Sequence, residues 1–429
     1  MTPEPMTPER TTPDPDQYPD KVSEPDHARL MRGAPPHPDA QVTLANWREP
    51  GFGRWSFSHI RQLLPTAPIA AAEHPYVLPE NRPENRPENL SENRIDLATL
   101  AFGPSRRSLD DFLAGSNTDA LMVMRDGKLV FDWFGGFGRA DRPHIAFSVS
   151  KSLAGLLVGI LVEAGVLDPD QQLTHYLPEI AGSAYEGASL RHLLDMTVAS
   201  GFVEDYLDTT GVFMAYRRAS AWNPVEEGHS TEGLRAFLAK LPASDGNHGH
   251  RHHYCSPHTD LLGWVIERAA GGPVADLLSS HLFRPAGTRT DAYITLETFG
   301  APRLAGGICL APADLLRLAE MVRCEGALGG RQIVPAGWIA DFSRHPDSTA
   351  WQRQTGGSRL FDRGTYRSKW YRTGFDDDEI CAIGIHGQWI WINPARAVTI
   401  IRMASHDLPI DTETDAELLA AFQAIATAL

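Results

Sequence analysis

The sequence has no apolar run near the roughly 18 residues needed to span a bilayer. Its opening, MTPEPMTPERTTPDPDQYPD, lacks the basic start and apolar stretch of a secretory signal, so a cytoplasmic protein is expected. Cysteine is scarce. Cys255, Cys309, Cys324 and Cys381 lie far apart without a CxxC, which argues against a disulfide framework or a zinc ribbon and suits reduced thiols. Positive charge is short as well: 39 Lys and Arg against 54 Asp and Glu leave a net charge of −15, which disfavours nucleic acid and anionic membranes as partners.

What is present fits a globular chain, with 42% hydrophobic and 22% charged residues among 429, enough for one large composite domain or two. Residues 1–40 are rich in Pro, Asp and Glu and read as a disordered tail. Residues 41–94 read as an N-terminal extension ending in a linker, the polar repeat ENRPENRPENLSENR; its Trp47, Trp55 and Phe57 suggest a segment packed onto the main body. The folded domain is expected over 95–429.

In ALMVMRDGKLVFDWF, Asp126-Gly127 predicts a hairpin turn. SVSKSLAGLLVGILVEAG predicts a helix buried on every side, ended by Gly165. Residues 176–289 read as a helical insert. The segments 95–175 and 290–429 carry the strands, among them EICAIGIHGQWIWINP paired with RAVTIIRMAS, and a last helix over TDAELLAAFQAIATAL. The fold class is therefore α/β, an antiparallel sheet sandwiched by helices with an all-α lobe, and the cleft between the two is the natural ligand site.

Ser148-Val149-Ser150-Lys151 is an S-x-x-K tetrapeptide. With five lysines and 24 serines the pattern arises by chance in roughly one such chain in four, so its position matters more than its occurrence. It opens the buried helix, where a spacing of three puts Ser148 and Lys151 on one face. Free N–H groups at the helix start suit an oxyanion, and desolvation lowers a lysine pKa toward that of a neutral base. The alternative makes Ser148 an N-cap and Lys151 a surface residue. It is disfavoured because Lys is a poor choice in so apolar a helix.

Tyr254-Cys255-Ser256 precedes another helical run. Tyr254 could carry a proton between nucleophile and leaving amine if neighbouring positive charge lowered its pKa; alone, it reads slightly better as a core or capping tyrosine. Ala382 to Gln388 reads as a glycine-bearing strand whose N–H groups could complete an oxyanion hole begun by Ser148. The His-dense stretch Asn247 to His253 reads as a polar loop, with neither metal nor cofactor expected. Trp389 and Trp391 share one strand face and read as core.

In that order these three motifs resemble those of class C β-lactamases, DD-peptidases and their esterase relatives. SVSKSL, Glu204-Asp205-Tyr206, YCSPHTDLLGWVIER, AGGICLAPADLLRLAEMV and GIHGQWIWINP are similar to the 6-aminohexanoate-dimer hydrolases, from about Trp47 to the C-terminus. The resemblance implies a β-lactamase/transpeptidase-like fold and a serine hydrolase that forms an acyl-enzyme on Ser148. Lys151 would be the base and Tyr254 the proton carrier. The N–H groups of Ser148 and Ile385 would form the oxyanion hole, Tyr206 would bind the scissile amide from a closing loop, and Trp370 would line the pocket. It further implies small amide or ester substrates, such as short linear ω-amino-acid oligomers, and a homodimer. Ser256 stands where the motif has Asn, and Ala382 where exported enzymes carry a Lys or His for a carboxylate. Both departures argue against β-lactam hydrolysis and suggest that a carboxylate anchor is missing. A β-lactamase/DD-peptidase-like esterase and a catalytically weak binding or sensor protein of the same fold are the other readings, and the intact Ser-Lys-Tyr set counts against the second.

Overall fold

Strands from both ends of the chain meet in one sheet. The computed structural model describes residues 27–80, 96–206, 211–225, 230–345, 347–354, 360–375 and 377–429. Residues 1–26 of the expected tail and nearly all of the polar repeat lie outside them.

The main sheet has seven antiparallel strands. Their order is Thr365–Arg367, Trp370–Arg372, Ile380–Gly384, Gln388–Asn393, Val398–Ala404, Thr118–Arg125 and Lys128–Phe134. Asp126 and Gly127 turn the last pair with φ of 47° and 76°, the left-handed backbone that a two-residue hairpin demands. EICAIGIHGQWIWINP, expected as one strand, is itself a hairpin that reverses across Ile385, His386 and Gly387.

Period-two alternation supplies both faces of the sheet. Ala120, Met122, Met124, Ile390 and Ile392 pack with helices Val149–Glu163 and Pro312–Arg323. Leu121, Val123, Trp389 and Trp391 pack instead with the C-terminal helix Thr412–Ala428. Trp389 and Trp391 are core residues there, each about 6 Å from the Phe422 ring. The helical lobe includes Val212–Ala219 and Ser256–Ala270, the latter against the Val149–Glu163 helix. Gly165, at φ 70°, follows that helix where the sequence placed its end. Among the described residues no helix is long and apolar enough to cross a membrane.

The N-terminal boundary differs from expectation. Residues 27–40, assigned to the tail, bury Leu30 and Ala40. Residues 41–80 are not external to the domain. Thr66–Ile69 pairs antiparallel with Ala292–Thr295 in a second sheet that also holds Ile308–Leu310 and His144–Ile145. Trp47, Trp55, Phe57 and Ile60 form a core with Phe147, Trp222 and Tyr293. The polar repeat has the composition of a boundary, yet the aromatic residues before it have apolar area that only the main body can cover.

Candidate active site

Ser148 lies at the foot of the Val149–Glu163 helix, and its side chain makes no capping bond. Its hydroxyl accepts from Lys151 Nζ at 2.8 Å. Lys151 is buried, and its ammonium also donates to Ala305 O at 2.7 Å. Burial pushes its pKa down to about 8, against the opposing pull of Glu204 and Asp260. Ser148 does stand at the N-cap position, but without a capping bond, and Lys151 is not a surface residue. Ser150 Oγ accepts from Ile308 N at 3.1 Å and Ser152 Oγ donates to Lys369 O at 2.7 Å, so the neighbouring serines tie the helix start to its surroundings.

Tyr254 is half-buried and hydrogen-bonded to Ser148, with Lys151 Nζ 5.1 Å from the centre of its ring. The expectation of a lowered pKa is corrected. Burial first, then coupling to the Tyr371 phenol and the charge of Glu204, raise the phenol well above its ordinary value, and the bond to Ser148 only partly offsets them. The phenol is therefore a standing proton donor.

Gly384 closes the site from the sheet. A Cβ there would come within 2.8 Å of Ala146 O and 3.0 Å of Ser148 N, so only glycine allows this approach. The next residue, Ile385, lines the cleft together with Ser148. Phe147 precedes the serine at φ 41°. Rings of Trp47, Phe57, Trp222 and His386 surround it at 4.9 to 6.3 Å between centroids.

Tyr206 also reaches the cleft, where its hydroxyl donates to Glu204 Oε1 at 2.6 Å. Glu204 is a hub with no role assigned from the sequence. Ser256 N and Oγ donate to its carboxylate at 2.6 and 2.7 Å, which caps the Ser256–Ala270 helix and occupies Ser256, the residue in the Asn position. Asp260 was missed too. It takes Ala305 N at 2.9 Å and pairs with Arg303, fixing the segment whose carbonyl holds Lys151. An aspartate inside the apolar run HTDLLGWVIER was the available signal.

Trp370 is not where the resemblance put it. It is fully buried, stacked on Phe342 at 5.3 Å, with its Nε1 donating to Ser152 O at 3.2 Å, and it lines no part of the cleft. Strand alternation turns Trp370 toward the nucleophile helix, and Tyr371 takes the cleft wall instead. The His-dense loop contributes Arg251, His252 and His253 to that wall. His252 is packed between Trp351 and Tyr366, where burial lowers its pKa to about 3. Among the described residues no three His, Cys, Asp or Glu side chains are grouped as metal ligands.

The cleft is about 580 Å³, with Ser148 and Tyr254 in its wall and Trp351, Leu360, Phe361 and Ile383 around them. A desolvated amine and a phenol converge on the Ser148 hydroxyl, an arrangement that suits acyl transfer. Residues 106–425 match the family model described as Beta-lactamase. The chain belongs to the beta-lactamase family. It is 32% identical over 366 residues to the 6-aminohexanoate-dimer hydrolase of Paenarthrobacter ureafaciens, covering 85% of this chain and 88% of that one. It is 30% identical over 190 residues to esterase EstB of Burkholderia gladioli, covering 41% of this chain and 47% of that one. A solved structure from Bacillus anthracis, described as a candidate 6-aminohexanoate-dimer hydrolase, superposes with a TM-score of 0.78 at 20% identity, covering 90% of this chain and 96% of that one. Amide and ester hydrolases are thus both among the relatives of this beta-lactamase-family chain.

Proposed function

We propose that this beta-lactamase-family protein hydrolyses small linear amides, with 6-aminohexanoate dimer as the reference compound, and short-chain carboxylic esters through an acyl-enzyme on Ser148. The observation that carries the reading is the 2.8 Å contact between Ser148 Oγ and a desolvated Lys151 amine. Deprotonated, Lys151 takes the hydroxyl proton as Oγ bonds to the substrate carbonyl. Tyr254 gives its phenolic proton to the leaving nitrogen or oxygen as that bond breaks, and recovers a proton from Lys151. The N–H groups of Ser148 and Ile385 take the oxyanion. Water then adds to the acyl-enzyme, loses a proton to the same relay, and releases the acid while Ser148 regains its proton. Tyr206, now bound to Glu204, would turn its hydroxyl to the scissile amide.

The test is intact-mass analysis after a fluorophosphonate probe. Wild type should gain one adduct, mapped to Ser148, and Ser148→Ala should gain none while losing ester and amide turnover by at least about a thousandfold with unchanged circular dichroism. An adduct elsewhere, or more than a few per cent of activity left in Ser148→Ala, overturns the reading.

A further inference from the structure

Two cavities meet at Ser148, and they differ in charge. The larger contains Tyr254 and has a mixed wall in which Glu204, Asp411 and Asp415 outnumber Arg251. The smaller, about 50 Å³, lacks Tyr254 and is lined by Arg48, Arg217 and Arg303 beside Trp222, Gly306 and Ile385. A site that holds one water needs roughly 10–15 Å³, so this one takes a carboxylate and a methylene or two.

The three arginines come from distant parts of the chain. Arg48 belongs to the N-terminal segment, Arg217 to the Val212–Ala219 helix, and Arg303 to the stretch before Ile308–Leu310. Arg303 is buried and paired with Asp260, and it donates to Tyr216 Oη at 3.0 Å. Arg217 donates to Tyr206 O at 2.6 Å. Arg48 is half-buried, bonded to the neutral amide oxygen of Asn223, and its guanidinium lies 4.9 Å from the Trp47 ring. The Trp222 ring lies between Arg48, at 6.0 Å, and Arg303, at 4.9 Å. Burial and the fields of Arg217 and Arg303 push the Arg48 pKa down to about 9. Glu204 is the acidic residue that also lines this cavity, and its oxygens already serve Ser256 and Tyr206.

Tyr254 fixes the polarity of the cleft. A leaving group protonated by Tyr254 departs through the larger cavity, so the acyl chain held on Ser148 extends into the smaller. We infer that the acyl half of the substrate ends in a carboxylate gripped by Arg48 and Arg217, which makes half-esters and half-amides of short dicarboxylic acids the preferred class. The inference rests on the hydrolase reading of Ser148 and shifts its preferred substrate away from 6-aminohexanoate dimer, whose acyl half ends in an ammonium. Ala382 does leave the glycine strand without a cation, as the sequence indicated, but the anchor sits on two other parts of the chain. An ammonium in the same place, as at the amine end of 6-aminohexanoate dimer, meets like charge.

The test uses three ethyl esters that differ in one group: monoethyl succinate, ethyl butyrate and ethyl 3-aminopropanoate. The expected kcat/KM order is anionic above neutral by tenfold or more, and neutral above cationic. In Arg48→Gln, and in Arg217→Gln should the first fail to fold, the anionic-to-neutral ratio should drop toward one. An equal or reversed order in wild type overturns the inference, as does a preference that survives both variants. If ethyl butyrate is turned over without any charge preference, only the substrate class falls. If folded wild type turns over none of the three and takes no fluorophosphonate, the hydrolase reading falls with it.

Discussion

The helices that begin at Ser148 and Ser256 pack side by side, and their first turns are finished in opposite ways. At Ser256 the carboxylate of Glu204 accepts the first N–H and the serine hydroxyl, so a negative charge sits where the helix dipole favours it. At Ser148 there is no such cap, and the charge in the first turn is a lysine, the sign that the dipole opposes. One terminus is completed by a carboxylate. The other is left without one, and the dipole and burial that penalise Lys151 as a cation are what would make it a base in the proposed mechanism.

Altering the open terminus should abolish turnover with little change in stability. Lys151→Arg should lower kcat/KM for an activated ester nearly as far as Lys151→Ala, because a guanidinium keeps the charge and cannot take the proton. In wild type kcat/KM should rise with pH, half-complete near 8 as the Lys151 ammonium deprotonates, and level off above. Lys151→Arg should show no such rise. Steady-state profiles from pH 6 to 10 on both proteins decide the matter, and substantial turnover by Lys151→Arg would leave Lys151 an electrostatic support.

Tyr254 stands between the two termini, and its loss should fall unevenly. Amines leave poorly without protonation, so Tyr254→Phe should cost an amide about a hundredfold in kcat/KM and p-nitrophenyl acetate considerably less. Equal losses on both substrates would mean that the phenol only positions Ser148.

The capped terminus should give the smallest and most structural effect. Glu204→Gln should lower unfolding stability by about 1 kcal/mol in urea melts, through the weakened cap. It should also move the rising limb of the pH profile to lower pH, because Glu204 raises the Lys151 pKa and its removal leaves burial less opposed. A limb that stays put would show that the carboxylate does not act on the base.

The same contrast governs what was legible in the sequence. Ser148 and Lys151 stand out because a lysine in an apolar helix is a local contradiction, visible within four residues. Tyr254 is visible only alongside them, and its raised pKa is not visible at all, since Glu204 and Tyr371 reach it from distant positions. The main sheet follows from alternation and turn residues. Trp370 was misplaced because a single residue of register decides which face a strand side chain takes, and SKWYRTG does not fix it. Glu204 and Arg48 act through partners dozens to hundreds of residues away, so no local pattern betrays them, whereas Asp260 is betrayed only by its place in an apolar run.

The ring cluster around Phe147 bears on how such chains are classified. A left-handed backbone at a bulky residue costs on the order of 1–3 kcal/mol, and here the rings of Trp47 and Phe57 help to hold it. Both belong to the segment that precedes the polar repeat, as does Arg48. A descendant or an engineered chain trimmed at that apparent seam would keep every residue of the three motifs and pass any motif scan as intact. It would nonetheless have lost the brace behind Ser148 and one wall of the smaller cavity beside it.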